Sequence, residues 1–295
     1  MSDYTSRHTK VKSWPSLFEG LHEGLGQPTR LCFSSGMSIA GIEGFVRDLA
    51  AASGEFILRY YRGNALGTEF KADETPVTAA DRGAEEIMRR MIEQRFPDHG
   101  VLGEELGTVR ADAEFVWILD PIDGTKSFLT GVPLFTTLIG LLHHGRPVLG
   151  CIHQPVLQQL MIGNGTTTTL NNAVVRVRPC SALSSATLLT TDPLHPAQYQ
   201  DGAAFAQLAG AVRWCRTYGD GYGYLLVASG WADVMVDPVM KPWDLLPVVP
   251  VMQGAGAIIT DWQGRPAGVM AAASCVTAGP VLHPEVIRRL NGGEA

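Results

Sequence analysis

The sequence predicts an α+β unit that passes into an α/β layer, and three observations predict it. Helical apolar periods over residues 42–60 and 78–95 come first; short strand-like runs then follow one another across turns to about residue 162. From about residue 185, strand-like and helix-like segments alternate instead.

In chain order, residues 1–36 mix Gly, Ser, Pro, Thr and isolated charges without a sustained period. They are expected to be a disordered extension outside the core, or to reflect a start codon upstream of Met37. Ile42, Phe45, Val46, Leu49, Phe56, Ile57 and Tyr60 then fall at helical spacing. A second helix is expected over 78–95, with Ala84, Ile87, Met88, Met91 and Ile92 on one face. Thr78-Ala79-Ala80-Asp81 reads as its capping box and Phe96-Pro97 as its stop. The apolar runs 101–102 and 115–119 each end in acidic residues. Strands are expected at 134–142, 147–153 and 158–162, with Gly145-Arg146 in a hairpin-like turn.

The alternating half predicts strands at 186–190, 212–216, 232–236 and 257–260. Helices are expected at 197–209, 220–229, after Trp243, and at 284–290. Pro250 conflicts with the helix after Trp243, because an interior proline removes a hydrogen bond and should kink it. The expected division is an extension at 1–36, an N-terminal α+β subdomain at 37–180 and a C-terminal α/β subdomain at 181–295.

Composition narrows the function classes. Lys+Arg 23 against Asp+Glu 29 gives a net charge of −6, and no basic run would track a phosphate backbone, so nucleic acid is not an expected partner. No apolar stretch is long enough for a membrane span, and the N-terminus lacks the apolar segment of a secretion signal. The 5 cysteines are odd in number, widely spaced and never in C-x-x-C, which suits free thiols in a reducing compartment; the cytoplasm is the expected location. The 8 histidines show no ligand spacing, and His143-His144 read as exposed loop residues.

The chemistry lies in the carboxylates. Asp120-Pro121-Ile122-Asp123-Gly124-Thr125 follows the strand at 115–119 and could set two carboxylates and the Ile122 carbonyl on one side. Alone, the same residues also suit a surface turn. Gly103-Glu104-Glu105 alone would suit a solvated face, Asp81 a helix cap, and Asp244 in Trp243-Asp244 a helix N-terminus. Together they suit hard divalent cations, which prefer oxygen ligands and assist phosphate-ester hydrolysis when paired roughly 3.5–4 Å apart.

Trp117-Ile118-Leu119-Asp120-Pro121-Ile122-Asp123-Gly124-Thr125-Lys126-Ser127-Phe128, followed by Trp243-Asp244, resembles the hallmark of the inositol monophosphatase superfamily. Gly103-Glu104-Glu105 and Thr78-Ala79-Ala80-Asp81 match two further elements in order, and the resemblance runs from about Met37 to the C-terminus. It implies a layered α-β-α-β-α sandwich of the sugar-phosphatase type, a homodimer, and Mg²⁺-dependent hydrolysis with no phosphoenzyme. Two or three Mg²⁺ are implied per site, with Mn²⁺ as a substitute. Glu104, Asp120 and the Ile122 carbonyl would hold the first ion; Asp120, Asp123 and Asp244 would hold the second. Glu105 would sit beside them and serve a third, weaker one. Thr125 and Asp81 would form a hydrogen-bonded pair taking the proton of the attacking water. Backbone N–H groups of Gly124, Thr125 and Lys126 would cradle the phosphate.

Lys126-Ser127, Gly131-Val132-Pro133-Leu134-Phe135, Gln154-Pro155, Tyr218-Gly219-Asp220-Gly221 and Lys241-Pro242-Trp243-Asp244 look like the histidinol-phosphate branch. Asp220-Gly221-Tyr222 departs from it. That substrate carries an ammonium and an imidazole, so its pocket should offer extra carboxylates, and the resemblance points to Asp220 and Asp237. An N-cap role for Asp220 and a turn role for Asp237 remain equally open. The alternative substrates are inositol 1-phosphate and a bisphosphate nucleotide. A rival of another class is a catalytically idle metal-binding scaffold, against which the complete carboxylate set argues.

Overall fold

A computed structural model describes residues 39–63, 69–70, 76–267 and 274–293; the expected extension at 1–36 lies outside the described residues. Helix α1 (Ile39–Leu58) buries Ile42, Val46, Leu49, Ala50 and Ile57, the stripe its periodicity predicts. A short hairpin, β1 (Glu69–Phe70) with β2 (Pro76–Val77), leads to α2 (Ala79–Arg95). Thr78 and Asp81 form the predicted capping box: the Thr78 hydroxyl accepts the Ala80 N–H at 3.1 Å, and the Asp81 carboxylate accepts the Thr78 N–H at 2.8 Å.

Next come β3 (Gly100–Gly103), β4 (Gly107–Val109), β5 (Phe115–Asp123) and the short helix α3 (Thr125–Leu129). The strands β6 (Thr136–His143), β7 (Arg146–Gln154), β8 (Gln159–Gly163), β9 (Thr168–Leu170) and β10 (Ala173–Val175) follow. They make an eight-stranded sheet in the order β10-β9-β8-β7-β6-β5-β3-β4, antiparallel except for the β3–β5 pair. The hairpin turn between β6 and β7 is His144-Gly145, both at positive φ, rather than Gly145-Arg146; Arg146 already pairs with His143.

The second half supplies β11 (Thr187–Leu189), α4 (Gly202–Ala211), β12 (Trp214–Arg216), α5 (Asp220–Ala228), β13 (Val234–Asp237) and α6 (Pro242–Gly254). It closes with β14 (Ile258–Thr260), β15 (Cys275–Ala278) and α7 (His283–Leu290). Its sheet runs β12-β11-β13-β15-β14, parallel through the first three strands and antiparallel beyond them. Strand β15, with no counterpart in the sequence reading, occupies the place between β13 and β14.

Three apolar clusters stack these elements into an α-β-α-β-α sandwich. Helices α1 and α2 cover one face of the first sheet around Leu49, Met88 and Trp117. Between the sheets lie α5 and α6, with Leu138, Ile152, Leu189, Met235 and Val248 in one cluster. Helices α4 and α7 cover the far face of the second sheet around Leu208, Val236 and Val286.

Helix α6 runs through both Pro247 and Pro250 as one element. Gly140, Gly150 and Gly163 stand opposite one another on β6, β7 and β8 and make a groove for it. A Cβ on Gly150 would stand 1.8 Å from the Pro247 carbonyl oxygen, and one on Gly163 would stand 2.4 Å from the Val251 Cα. Close packing in that groove offsets the hydrogen bonds the prolines cannot donate.

Candidate active site

Strand β5 is buried along its whole length, flanked by β3 on one side and β6 on the other. Its ladder with β6 is regular to Asp120–Leu138 and then slips before Asp123–Thr136. At the slip the Pro121 carbonyl accepts the Thr137 hydroxyl at 2.8 Å. An irregularity of this kind re-aims side chains at a strand end. Gly124, at φ 84°, then turns the chain into α3. Phe128 anchors that helix in a cluster with Ile57, Ile122 and Phe135.

Asp244 arrives from the other half of the chain. It is the third residue of α6, and its carboxylate accepts the Lys241 N–H at 2.7 Å, so the helix start fixes it. One carboxylate oxygen each from Asp120, Asp123 and Asp244 lies within 4.8 Å of the others. Asp123 also accepts the Gly221 N–H from α5 and the Thr136 hydroxyl, the latter at 3.3 Å.

Such a group of anions is costly without cations. Burial, followed by the charges of Glu104, Asp123 and Asp244, raises the Asp120 pKa well above the ordinary carboxylate range. Burial and then Asp220 and Asp244 do the same to Asp123. Asp244 is pushed up to about 7 by burial, with Glu104 adding to it. Asp120 Oδ1 is buried with no hydrogen-bond partner. An all-oxygen donor set, mutual repulsion and an orphaned carboxylate oxygen fit a hard divalent cation. The residues that fit are Asp120, Asp123 and Asp244, with Glu104 near enough for its charge to raise the Asp120 pKa.

Asp81 and Thr125, the pair implied by resemblance, are not hydrogen-bonded to each other here. The Thr125 hydroxyl donates to the Ile122 carbonyl at 3.1 Å, the carbonyl expected to ligate a metal. Asp81 Oδ2 is taken by the N–H and hydroxyl of Thr78, whereas its Oδ1 is buried and unpartnered. Burial raises the Asp81 pKa to about 6 against the lowering effect of Thr78, and the Glu104 charge adds to the rise. The N–H groups of Thr125 and Lys126 head the first turn of α3, where a helix offers them no acceptor of its own.

Asp220 starts α5 in the left-handed region, at φ 52°, with its N–H on the Thr191 hydroxyl at 2.9 Å. Its Oδ2 stands 2.8 Å from where a Cβ on Gly124 would be, so it lies against the turn that follows Asp123. Burial and the Asp237 charge raise its pKa to about 7, while Lys126 pulls the other way. Asp237 is placed differently. Its oxygens accept the Thr191 N–H and the Tyr224 hydroxyl, each at 2.9 Å, so both are engaged inside the protein.

Sequence reasoning missed Glu85, Thr136 and Thr191, and read Gly221 only as part of the Tyr218-Gly219-Asp220-Gly221 resemblance; all four bond the site residues or hold their backbone. Of the three missed, only Glu85 carried a signal, the four-residue step from Asp81, one helical turn. Of His143-His144, only His143 departs from the exposed-loop expectation; His144 is exposed in the turn. His143 ends β6 and stacks on Phe115 at 4.6 Å between centroids, and Glu114, His143 and His144 bring ligand atoms within 4.8 Å of one another. Four described cysteines are free thiols: Cys151 and Cys275 are buried, Cys180 and Cys215 half-buried. No helix among the described residues is long and apolar enough to cross a membrane.

The chain is similar to several known proteins. Over 221 residues, 74% of the chain, it is 46% identical to the chloroplastic bifunctional phosphatase IMPL2 of Arabidopsis thaliana; the match spans 63% of that protein. It is 36% identical to a histidinol-phosphatase of Chlorobaculum parvum, over 84% of this chain and 95% of that one. An inositol monophosphatase structure from Zymomonas mobilis superposes with a TM-score of 0.77 at 36% identity, covering 86% of this chain and 100% of that one. The family model for inositol monophosphatases matches residues 39–293, and the chain belongs to that family.

Proposed function

We propose that this chain is a phosphoric monoester hydrolase that works with bound magnesium, and that its substrate is L-histidinol phosphate. The carrying observation is the convergence of Asp120, Asp123 and Asp244, with one further carboxylate, Asp220, set against the Gly124 turn beside them. Relatives named histidinol-phosphatase support the choice of ester.

Glu104, Asp120, the Ile122 carbonyl, Asp123 and Asp244 would hold two Mg²⁺, with Glu105 beside them for a third. Bound magnesium would neutralise phosphoryl oxygens, acidify a water and stabilise the leaving alkoxide. Thr125 and Asp81 would hold and move the proton of that water, for which the Thr125 hydroxyl must leave the Ile122 carbonyl. The N–H groups of Gly124, Thr125 and Lys126 would receive the phosphoryl oxygens. Asp220 would pair with the substrate ammonium. A neutral inositol ring would leave that carboxylate desolvated and unpaired, a penalty that discriminates between the two esters. Asp237 would act behind it, by fixing Thr191 and Tyr224. The homodimer implied by resemblance belongs to the same proposal.

A second reading, inositol-1-phosphate phosphatase, is favoured by the likeness to the Zymomonas mobilis inositol monophosphatase. Turnover of the two esters measured side by side decides between them. We expect a far higher kcat/KM on L-histidinol phosphate; equal or better turnover of inositol 1-phosphate would establish the second reading.

A further inference from the structure

Glu85 lies on α2, one turn beyond Asp81, and is fully buried at 0% exposure. Its Oε2 accepts the Glu105 N–H at 2.8 Å, and its Oε1 accepts the Leu106 N–H at 3.2 Å and the Arg89 Nε at 2.7 Å. Arg89 reaches on with Nη2 to the Gly107 carbonyl. A buried carboxylate is tolerated only when its charge and lone pairs are met, and these three donors meet them. The approach is close: a Cβ on Gly103 would stand 2.0 Å from Glu85 Oε1 and 2.7 Å from Arg89 Nη2. The turn from Gly103 to Gly107 is therefore gripped from α2. From the other side, the Glu104 N–H donates to the Leu119 carbonyl at 3.1 Å, one residue before Asp120.

We propose that Glu85, seconded by Arg89, is a positioning residue that fixes the Glu104-Glu105 turn against Asp120 and so sets the affinity of the site for divalent cations. The inference rests on the magnesium reading of the carboxylate cluster and deepens it. Both Glu85 oxygens are spent on backbone and guanidinium donors, so it acts through Glu104 and Glu105. Because α2 carries Asp81 in its first turn and Glu85 in its second, one rigid helix orients both arms of the site. Groups that orient ligands in this way typically change metal affinity about 10–100-fold when altered.

The test is Glu85→Gln. The amide keeps the shape but turns an NH₂ toward one of the three donors, so the grip on the turn is broken on one side. Mg²⁺ binding, titrated by calorimetry on metal-stripped full-length protein without substrate, should weaken about 10-fold or more. Turnover lost at low Mg²⁺ should return toward the wild-type kcat as Mg²⁺ is raised. Arg89→Leu, at the partly buried end of the network, should move Mg²⁺ affinity in the same direction by a smaller factor, and it decides the matter if Glu85→Gln does not fold. Unchanged Mg²⁺ affinity in a folded variant, whatever its melting temperature, would make Glu85 a stability residue only and overturn the inference. A wild-type protein that binds no Mg²⁺ would instead overturn the magnesium reading itself.

Discussion

The Asp123 carboxylate accepts the backbone N–H of Gly221, 98 residues further along the chain, and this bond ties the end of β5 to the first turn of α5. The contact exists because residue 221 has no side chain. A Cβ there would stand 2.3 Å from the Thr136 hydroxyl and 2.7 Å from Asp123 Oδ2. Gly221→Ala should therefore push Asp123 out of place, lowering kcat and costing about 1–3 kcal/mol of stability. Thermal melts and steady-state kinetics check it; a variant unchanged in both would show that the junction yields without consequence.

Asp123→Asn and Asp244→Asn should each abolish turnover while leaving the metal-free fold as stable as the wild type or more so. Each removes one charge from a cluster whose members raise one another's pKa. Melting temperatures in chelator, read beside activity in Mg²⁺, separate the two effects. Near-normal turnover by either variant would remove that residue from the ligand set.

Stabilisation by Mg²⁺ should grow with pH. In the metal-free protein Asp244 titrates at about 7 and Asp81 at about 6, both raised first by burial. A raised carboxylate keeps its proton to higher pH folded than unfolded. The metal-free fold therefore loses stability as pH climbs from the ordinary value of 3.8, and the loss is complete in the window of about 6 to 7. Below that window protons compete with the cation. The Mg²⁺-induced rise in melting temperature should be small at pH 5.5 and large at pH 8. A pH-independent rise, or undiminished turnover in excess EDTA, would contradict the cation reading.

Thr125→Ala should lower kcat by about 10²–10⁴-fold with little change in KM, because a positioned proton acceptor acts in the transition state. The hydroxyl now rests on the Ile122 carbonyl, so its loss leaves that oxygen with one donor fewer. A pure KM effect would assign Thr125 to substrate binding instead.

Asp220→Asn is a clean probe of selectivity, since asparagine tolerates the left-handed backbone that residue 220 adopts. It should raise KM for L-histidinol phosphate and scarcely alter hydrolysis of a small generic phosphate ester. Asp237→Asn should show mainly as a lower melting temperature, because the bonds to Thr191 and Tyr224 are internal. A silent Asp220 variant would remove this account of selectivity and leave the reaction class standing.

Local order was legible because its causes are local. Helices α1 and α2 follow from apolar spacing and from a cap four residues long, and the carboxylate-bearing turn after β5 follows from Asp, Pro and Gly in a fixed order. Strands β9, β10 and β15 were not legible. Each is a run of 3 or 4 residues that exists through its ladder partners.

By itself, then, the sequence determined which residues carry the charge and which segments carry those residues. Tertiary structure decided what each charge meets. It brought Asp244 to Asp120 and Asp123, turned Asp237 inward onto Tyr224, laid a proline-bearing helix in a groove of three glycines, and set Glu85 under the Glu104 turn. The physical reason is the range of the interactions. Propensity and capping act within a turn or two of chain, whereas hydrogen bonds, desolvation and carboxylate repulsion depend on neighbours that only the packed layers bring within a few ångströms.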